Sequence, residues 1–595
     1  MTSADLDTFY ARRHAAFAAA LATLRKKINN VSNIRLATAV LFLIVLYIGL
    51  AKEDLYLYGA LALLAAFIAL VKYHAQLFDQ RVHLENLVRL NEGERKSLAG
   101  DHSAFPSGIE FTDPHHPYTH DLDVFGEGSL FQAVNRCNTL SGKKKFAYRL
   151  AHPLSSARDI EAYQQAVQAL AGATDFRQHF QAAGMSADEK AGDREQLEAW
   201  LKQPAFLYGK VVYRYGLVIM PVVTVLLVIA SFFLAQAKPW AILFALSQWA
   251  FLGFHIRKIN AFHDYISRKK NILRKYARLL HEMQRERFDA PLLQQLTRQA
   301  HEADIHVRTL AARVSALDAR LNAMTSLVMN SLFLYDLRCV YNLEQWKAQH
   351  ADQLIPWLEA IREMEVLCSL GTFAFNHPAF RYATIQEKLA IEVMALGHPL
   401  ISAHERVDND LAVGAKQSVL VITGANMAGK STFLRTIGIN LVLALNGAPV
   451  CAAEFRCPVI GLRTGMRTAD SLKDHQSYFY AELNRLKTIM DELRQDRPLL
   501  ILLDEILKGT NSTDKQAGSI ALVKQLLPHP CLALIATHDL ALGELEQEYP
   551  EQVKSYCFEA TIENDQLSFD YKLKPGLAQK MNATFLMKKM GIIPN

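Results

Sequence analysis

The chain has 595 residues, 51% of them hydrophobic and 21% charged, which excludes a wholly disordered or fibrous protein and a single small binding module. Mean hydropathy is +0.04, high for a soluble chain and low for a transporter, so a few membrane spans in a mainly aqueous body are expected. The net charge of +6 is too small over this length to establish a nucleic-acid partner, and the seven cysteines, with no Cys-x-x-Cys pair, form neither a disulfide framework nor a zinc ribbon.

Residues 1–78 hold two uncharged apolar runs, 36–51 and 55–71, parted by Lys52-Glu53-Asp54. They predict a transmembrane hairpin. Residues 79–207 predict the first part of a helical core, with a Pro/His/Gly-rich loop from Ala104 to Gly128 read as solvated. His115, His116 and His120 in that loop lack a Cys or His partner at ligand spacing, which disfavours a metal there. Residues 208–258 carry a second hairpin, 215–235 and 240–256, around Gln236-Ala237-Lys238-Pro239. The apolar residues go right round each helix, which favours lipid over the alternative of two buried hairpins in a soluble core. Arg12, Arg13, Arg25, Lys26, Lys27 and Arg35 precede the first span, and Arg257, Lys258, Lys269 and Lys270 follow the fourth. This asymmetry predicts a multi-pass protein of a bacterial-type inner or plasma membrane, with both termini and the nucleotide domain cytoplasmic. No Asp, Glu, Lys or Arg lies within a span, so nothing marks a transport path.

Residues 259–395 read as long helical arms and the return of the core. Leu310, Val314, Leu317, Leu321, Met324 and Val328 form a heptad seam, which predicts one long helix packed against another. Between Arg257 and Arg278 eight basic residues face one acid, Asp264. Two partners fit: the anionic lipid bilayer, or the phosphates of double-stranded DNA.

Residues 396–595 predict an α/β nucleotide domain. Ser418 to Ile422 is a short apolar run of the kind that forms a buried parallel strand. It enters Thr423-Gly424-Ala425-Asn426-Met427-Ala428-Gly429-Lys430-Ser431-Thr432, a G-x-x-x-x-G-K-S loop followed by a helical pattern. The backbone of such a loop closes round phosphates; Lys430 reaches the β/γ oxygens and Ser431 offers its hydroxyl to Mg2+. A second apolar strand ends at Asp504-Glu505. Asp504 is expected to hold Mg2+, and Glu505 to polarise the attacking water. A third strand ends at His538, placed to sense the γ-phosphate. The expected catalytic set is therefore Glu505, His538 and Lys430, with ATP and Mg2+ as cofactors.

At these residues the chain resembles the MutS family of mismatch-repair ATPases. The resemblance lies in TGANMAGKSTFLRTIG (Thr423–Gly438), LLDEILKGTNSTD (Leu502–Asp514) and ATHDLALGEL (Ala536–Leu545). Weaker likeness extends over Gly128–Leu154, Ile361–Phe380 and Gly397-His398-Pro399-Leu400. It implies an ABC-like P-loop ATPase domain at the C-terminus, preceded by an all-α core with long helical arms. It also implies a homodimer through the ATPase domain, in which Ser477 reaches the partner's nucleotide in trans. Tyr571 falls where the family stacks a ring on adenine. Leu507-Lys508 replaces the family's Gly-Arg, and Lys515 its Gly. A membrane hairpin stands where the family carries its mismatch-reading and connector domains, and no nuclease or tetramer tail is expected. Phe125-Gly126-Glu127 spells the mismatch wedge but lies outside any such domain, and is read as coincidence. The expected function is ATP hydrolysis coupled to a dimer conformational change, with DNA binding but without mismatch reading. The alternative is a membrane scaffold or remodelling ATPase that does not bind DNA.

Overall fold

The computed structural model describes residues 2–51, 55–190, 192–266, 269–414, 416–467, 478–508, 510–563, 566–578 and 593. Among the described residues most are helical, and the strands lie from Arg381 onward.

The first two helices, α1 (Ser3–Ala51) and α2 (Leu55–Leu98), pack along each other. At 1.5 Å per residue each is about 65–75 Å long, so the apolar runs are the distal ends of helices rooted in the core. The roots are held by polar bonds. Buried Tyr10 donates to Asn376 Oδ1 at 2.7 Å, and Asn376 donates to Glu94 at 2.9 Å. Glu94 takes Arg136 at 2.5 Å, and Arg136 also donates to the Ala133 and Asn135 carbonyls. This buried ion pair is sustained because these further bonds replace water around both charges.

A second hairpin follows, α3 (Val211–Phe233) and α4 (Ala237–Ile266). Buried Gln248 donates to Thr224 Oγ1 across it. These four helices are long and apolar enough to cross a membrane, by length and composition.

Beyond a helix at Lys270–Arg285 come α5 (Pro291–Asp318), α6 (Ala323–Phe333) and the long α7 (Tyr335–Asn376). The expected heptad seam holds only in part. Leu310, Val314 and Leu317 are fully buried, and α5 packs against α7. The helix then stops at Asp318, and the Asn322 side chain caps a new one by accepting from the Thr325 N–H at 3.0 Å. Asn is a strong N-cap residue, and the break turns Leu321, Met324 and Val328 outward. The loop from Ala104 to Gly128 also differs from expectation. Its second half is packed: Tyr118, Asp121, Leu122 and Val124 are buried.

Strands begin at Arg381, ahead of the expected boundary at 396. A small mixed sheet (Thr384–Ile385, Ala390–Leu396, Asn409–Gly414, Glu454–Cys457) precedes the main one. The main sheet has six strands: β1 (Val419–Gly424), β2 (Gly461–Gly465), β3 (Leu499–Asp504), β4 (Cys531–Thr537), β5 (Val553–Glu563) and β6 (Gln566–Pro575). Their spatial order is β6-β5-β1-β4-β3-β2, parallel except for the β5–β6 pair. β1 and β4 are buried at every position, as apolar strands covered on both faces must be. Helix α8 (Lys430–Leu445) follows β1 and packs on the sheet, and α9 (Tyr478–Leu493) packs near β2.

Candidate functional site

β1, β3 and β4 are neighbours, and all three point their carboxyl ends at one cleft of about 580 Å³. The ends of parallel strands are where loops can leave the sheet and present side chains. β1 delivers Gly424 and the glycine-rich loop, β3 delivers Asp504 and Glu505, and β4 leads to His538.

Two glycines shape the loop. Gly424 has φ +149, and a Cβ there would lie 2.6 Å from the Phe558 carbonyl oxygen. Gly429, at the start of α8, has φ +102, and its Cβ would approach the Tyr571 ring at 3.1 Å. Both positions require glycine for close approach. Within the loop Lys430 Nζ donates to the carbonyls of Gly424 and Ala425, at 2.9 Å each. Burial lowers the Lys430 pKa, with Asp504 and Glu505 opposing. His538 Nε2 lies 3.5 Å from the same ammonium.

Ser431 Oγ donates to Asp504 Oδ2 at 2.5 Å. A hydroxyl and a carboxylate side by side make a hard-oxygen donor set of the kind that suits Mg2+. Glu505 Oε1 meets His538 Nε2 at 2.9 Å. The His538 hydrogen bond, with help from Lys508 and Lys515, holds the Glu505 carboxyl down at about 2. Glu505 is thus an anion paired through Oε1 to the His538 ring, with its side chain a quarter exposed to the cleft.

Tyr571 is half-exposed at the cleft edge, stacked on Phe569, and its carbonyl accepts from Asn409 Nδ2 at 3.0 Å. Asn426, Met427, Ala428 and Thr432 line the cleft with it, and Met427 is 81% exposed at the mouth. The structure therefore gathers Gly424 through Thr432, Asp504, Glu505, His538 and Tyr571 in one place. Ser477 lies outside the described residues.

Five residues were not foreseen. His398 lines the cleft, and burial pushes its pKa down to about 4. Arg406 lines it too and pairs with Asp408 at 2.5 Å, so close to Gly397 that a side chain there would clash. Glu482, on α9, accepts from the Leu507 and Lys508 N–H groups at 2.6 and 3.2 Å, clamping the turn just after Glu505. Asp121, from the loop expected to be solvated, accepts from Thr464 Oγ1 at 2.6 Å, from the N–H groups of Met466 and Arg467, and from Arg485 at 2.8 Å. Asp123 beside it pairs with Arg467 and with Arg435 of α8.

The comparisons with known proteins agree with this layout. MutS domain V matches residues 420–594, and MutS domain III matches residues 117–371. The chain belongs to the MutS family. Among its relatives is the DNA mismatch repair protein MutS of Thermotoga sp. (strain RQ2), 30% identical over 247 residues, 41% of this chain and 30% of that protein. The proteins of the same name from Natronomonas pharaonis and Halalkalibacterium halodurans are each 31% identical, over 39% and 40% of this chain and 27% and 28% of theirs. The chain thus aligns with less than a third of the length of these MutS proteins. The domain III match encloses the second hairpin, α3 and α4. Phe125 does not project as a wedge in this MutS-family chain: its ring packs between Phe111 and Phe131.

Proposed function

We propose that this chain is a membrane-anchored, Mg2+-dependent ATPase of the MutS kind, acting as a homodimer that converts ATP binding and hydrolysis into movement of its helical arms. The convergence of Lys430, Ser431, Asp504, Glu505 and His538 on one cleft carries the reading. Mg·ATP fits the donor set present, and when bound it supplies the transferable γ-phosphoryl group. Lys430 would exchange two loop carbonyls for phosphate oxygens. Ser431 and Asp504 would hold the metal. Glu505, released as His538 turns to the phosphate, would orient and polarise the water. Tyr571 would flank the adenine, and Ser477 would serve the partner's site.

The four apolar helices anchor the chain in a bilayer, with the termini and residues 396–595 on the cytoplasmic side. From the name of its relatives the chain takes a further reading, contact of the helical arms with duplex DNA. A second reading, a scaffold or remodelling ATPase without DNA, is favoured by the fate of the basic segment. Lys269 and Arg278 are spent on Asp193 and Asp79, Lys270 on Asp318, and Lys275 is buried on two carbonyls.

The chemistry is tested in the purified full chain. Glu505→Gln is expected to bind Mg·ATP and hydrolyse it at least ~10²-fold more slowly. Lys430→Ala is expected to weaken binding itself. Near-normal turnover in Glu505→Gln would remove that carboxylate from its role.

A further inference from the structure

Helix α6 is built inside out. Its outward residues are Met324, 72% exposed, with Leu327 and Val328, and Leu321 just ahead of it extends the same apolar patch. Its inward residues include Ser326 and Asn330, and Asn330 is 1% exposed. Asn330 donates to Ser326 Oγ and to Asp336 Oδ1, and accepts from the Asp336 N–H at 2.9 Å. A helix on an aqueous surface does the reverse, burying its apolar stripe and offering polar groups to water. Here the polar groups are satisfied inside the protein and apolar ones face out, which is the arrangement a hydrocarbon solvent rewards.

The neighbours of α6 define what that solvent is. The helix packs on both α3 and α4. Trp249 of α4 donates to Ser331 Oγ at 2.9 Å, and Leu243 and Leu246 of the same helix are exposed. The apolar face of α6 is therefore continuous with the apolar surface of two helices long and apolar enough to cross a membrane. At its other end Arg320 donates to Asn260 and pairs with Asp336, and Asp318 meets His263. Polar and charged groups thus gather at the entry to α6, level with the polar end of α4. Eleven residues span only about 16 Å, too short to cross.

We infer that α6 is a third membrane element: a short helix that dips into the cytoplasmic leaflet beside the second hairpin and presents Leu321, Met324, Leu327 and Val328 to lipid. This rests on the membrane reading of α3 and α4. It goes further, because α6 joins directly to α7, the helix that runs to the first strand. The bilayer would then hold the moving arm itself.

The test uses the full chain with single cysteines carrying a nitroxide, reconstituted in phosphatidylcholine–phosphatidylglycerol vesicles. All seven native cysteines are buried, so labelling favours the introduced site. Labels go at Met324 and Val328, at Phe232 of α3 as the span control, and at Gln349 as the water control. Power saturation with oxygen and a water-soluble nickel chelate reads depth. The expected result is 324 and 328 open to oxygen, shielded from nickel and about 5–10 Å below the phosphates, with 349 open to nickel. If 232 reads as lipid while 324 and 328 read as water, the inference fails and the hairpin reading stands. If 232 also reads as water, both fall. Labels at 324 and 328 that are immobile and shielded from both reagents would mean that a protein surface covers α6, which also overturns the inference.

Discussion

Met427, Glu505, Leu507 and Tyr571 all have left-handed backbones, with φ of 65, 57, 58 and 51. For residues with a Cβ each costs on the order of 1–3 kcal/mol, and such strain persists only where the surroundings over-determine it. At Leu507, where the family has glycine, the surroundings are visible: the Glu482 carboxylate holds the N–H, and the side chain is buried in the core beneath. The strained turn places Glu505 against His538. That contact has a pH signature. Glu505 has a folded pKa of about 2 against an ordinary 4.5, so its stabilisation is fully present above 4.5 and is lost as pH falls toward 2. Both side chains are about a quarter exposed, so water screens the pair and its worth is ~0.2–1 kcal/mol. His538→Ala is therefore expected to flatten the loss of thermal stability between about pH 4.5 and about pH 2 by that amount. An unchanged acid limb in the variant would trace the pH dependence to other carboxylates. The motif residues were legible because each sits at the end of an apolar strand, where spacing and chemistry coincide. Glu482 was not legible as a clamp, because what it binds is backbone N–H, which every sequence offers alike.

Elements, in contrast, were legible only where their burial is local. β1, β3 and β4 announce themselves as unbroken apolar runs, and the four long apolar helices do the same. The seam from Leu310 to Val328 misled, because apolar spacing runs on across a helix break that the Asn322 cap imposes. The loop before Gly128 misled for another reason: the partners of its Asp121 are more than 340 residues away. There Asp121 is wholly buried and binds both flanks of the segment 468–477, through Arg467 ahead of it and Arg485 after it. Asp123 adds the helix that carries Lys430. The loop thus ties the helical core to Arg467, Arg485 and the helix that carries Lys430. Asp121→Asn would leave Arg485 without its counter-charge and set an amide donor against donors. Breaking a fully buried pair costs about 3–5 kcal/mol, and the partial exposure of Arg485 brings the expectation here to about 2–3. Chemical denaturation of the solubilised chain should show that loss, and amide exchange should rise first in residues 461–467. A variant with wild-type exchange in that segment would disconnect Asp121 from it.

In the whole molecule, α7 spans about 60 Å and links the α6–hairpin cluster to the strands, while Tyr10, Asn376, Glu94 and Arg136 fasten the first hairpin to its far end. One helix, with Pro356 inside it, therefore joins the first strand to both hairpins. Of the charges after α4, Lys269, Lys270 and Arg278 pair with carboxylates inside the chain, Lys275 is buried on two carbonyls, and Arg274 donates to the Ser315 hydroxyl, which leaves less of this segment for DNA. Any grip on a duplex must then come from scattered Lys and Arg contacts to phosphate, which position a protein but carry no sequence information. Such binding is expected to be weak and salt-sensitive, with log K falling by ~0.9 for each phosphate neutralised. Matched and mismatched duplexes should differ by less than about 1 kcal/mol, the low end for discrimination at one base pair. Fluorescence anisotropy with both duplexes, across a salt series and with the protein in nanodiscs, separates the outcomes. No binding at any salt would favour the remodelling ATPase without DNA. A mismatch preference of ~100-fold, about 2.7 kcal/mol, would instead require a reading surface among residues that the phosphate contacts do not use.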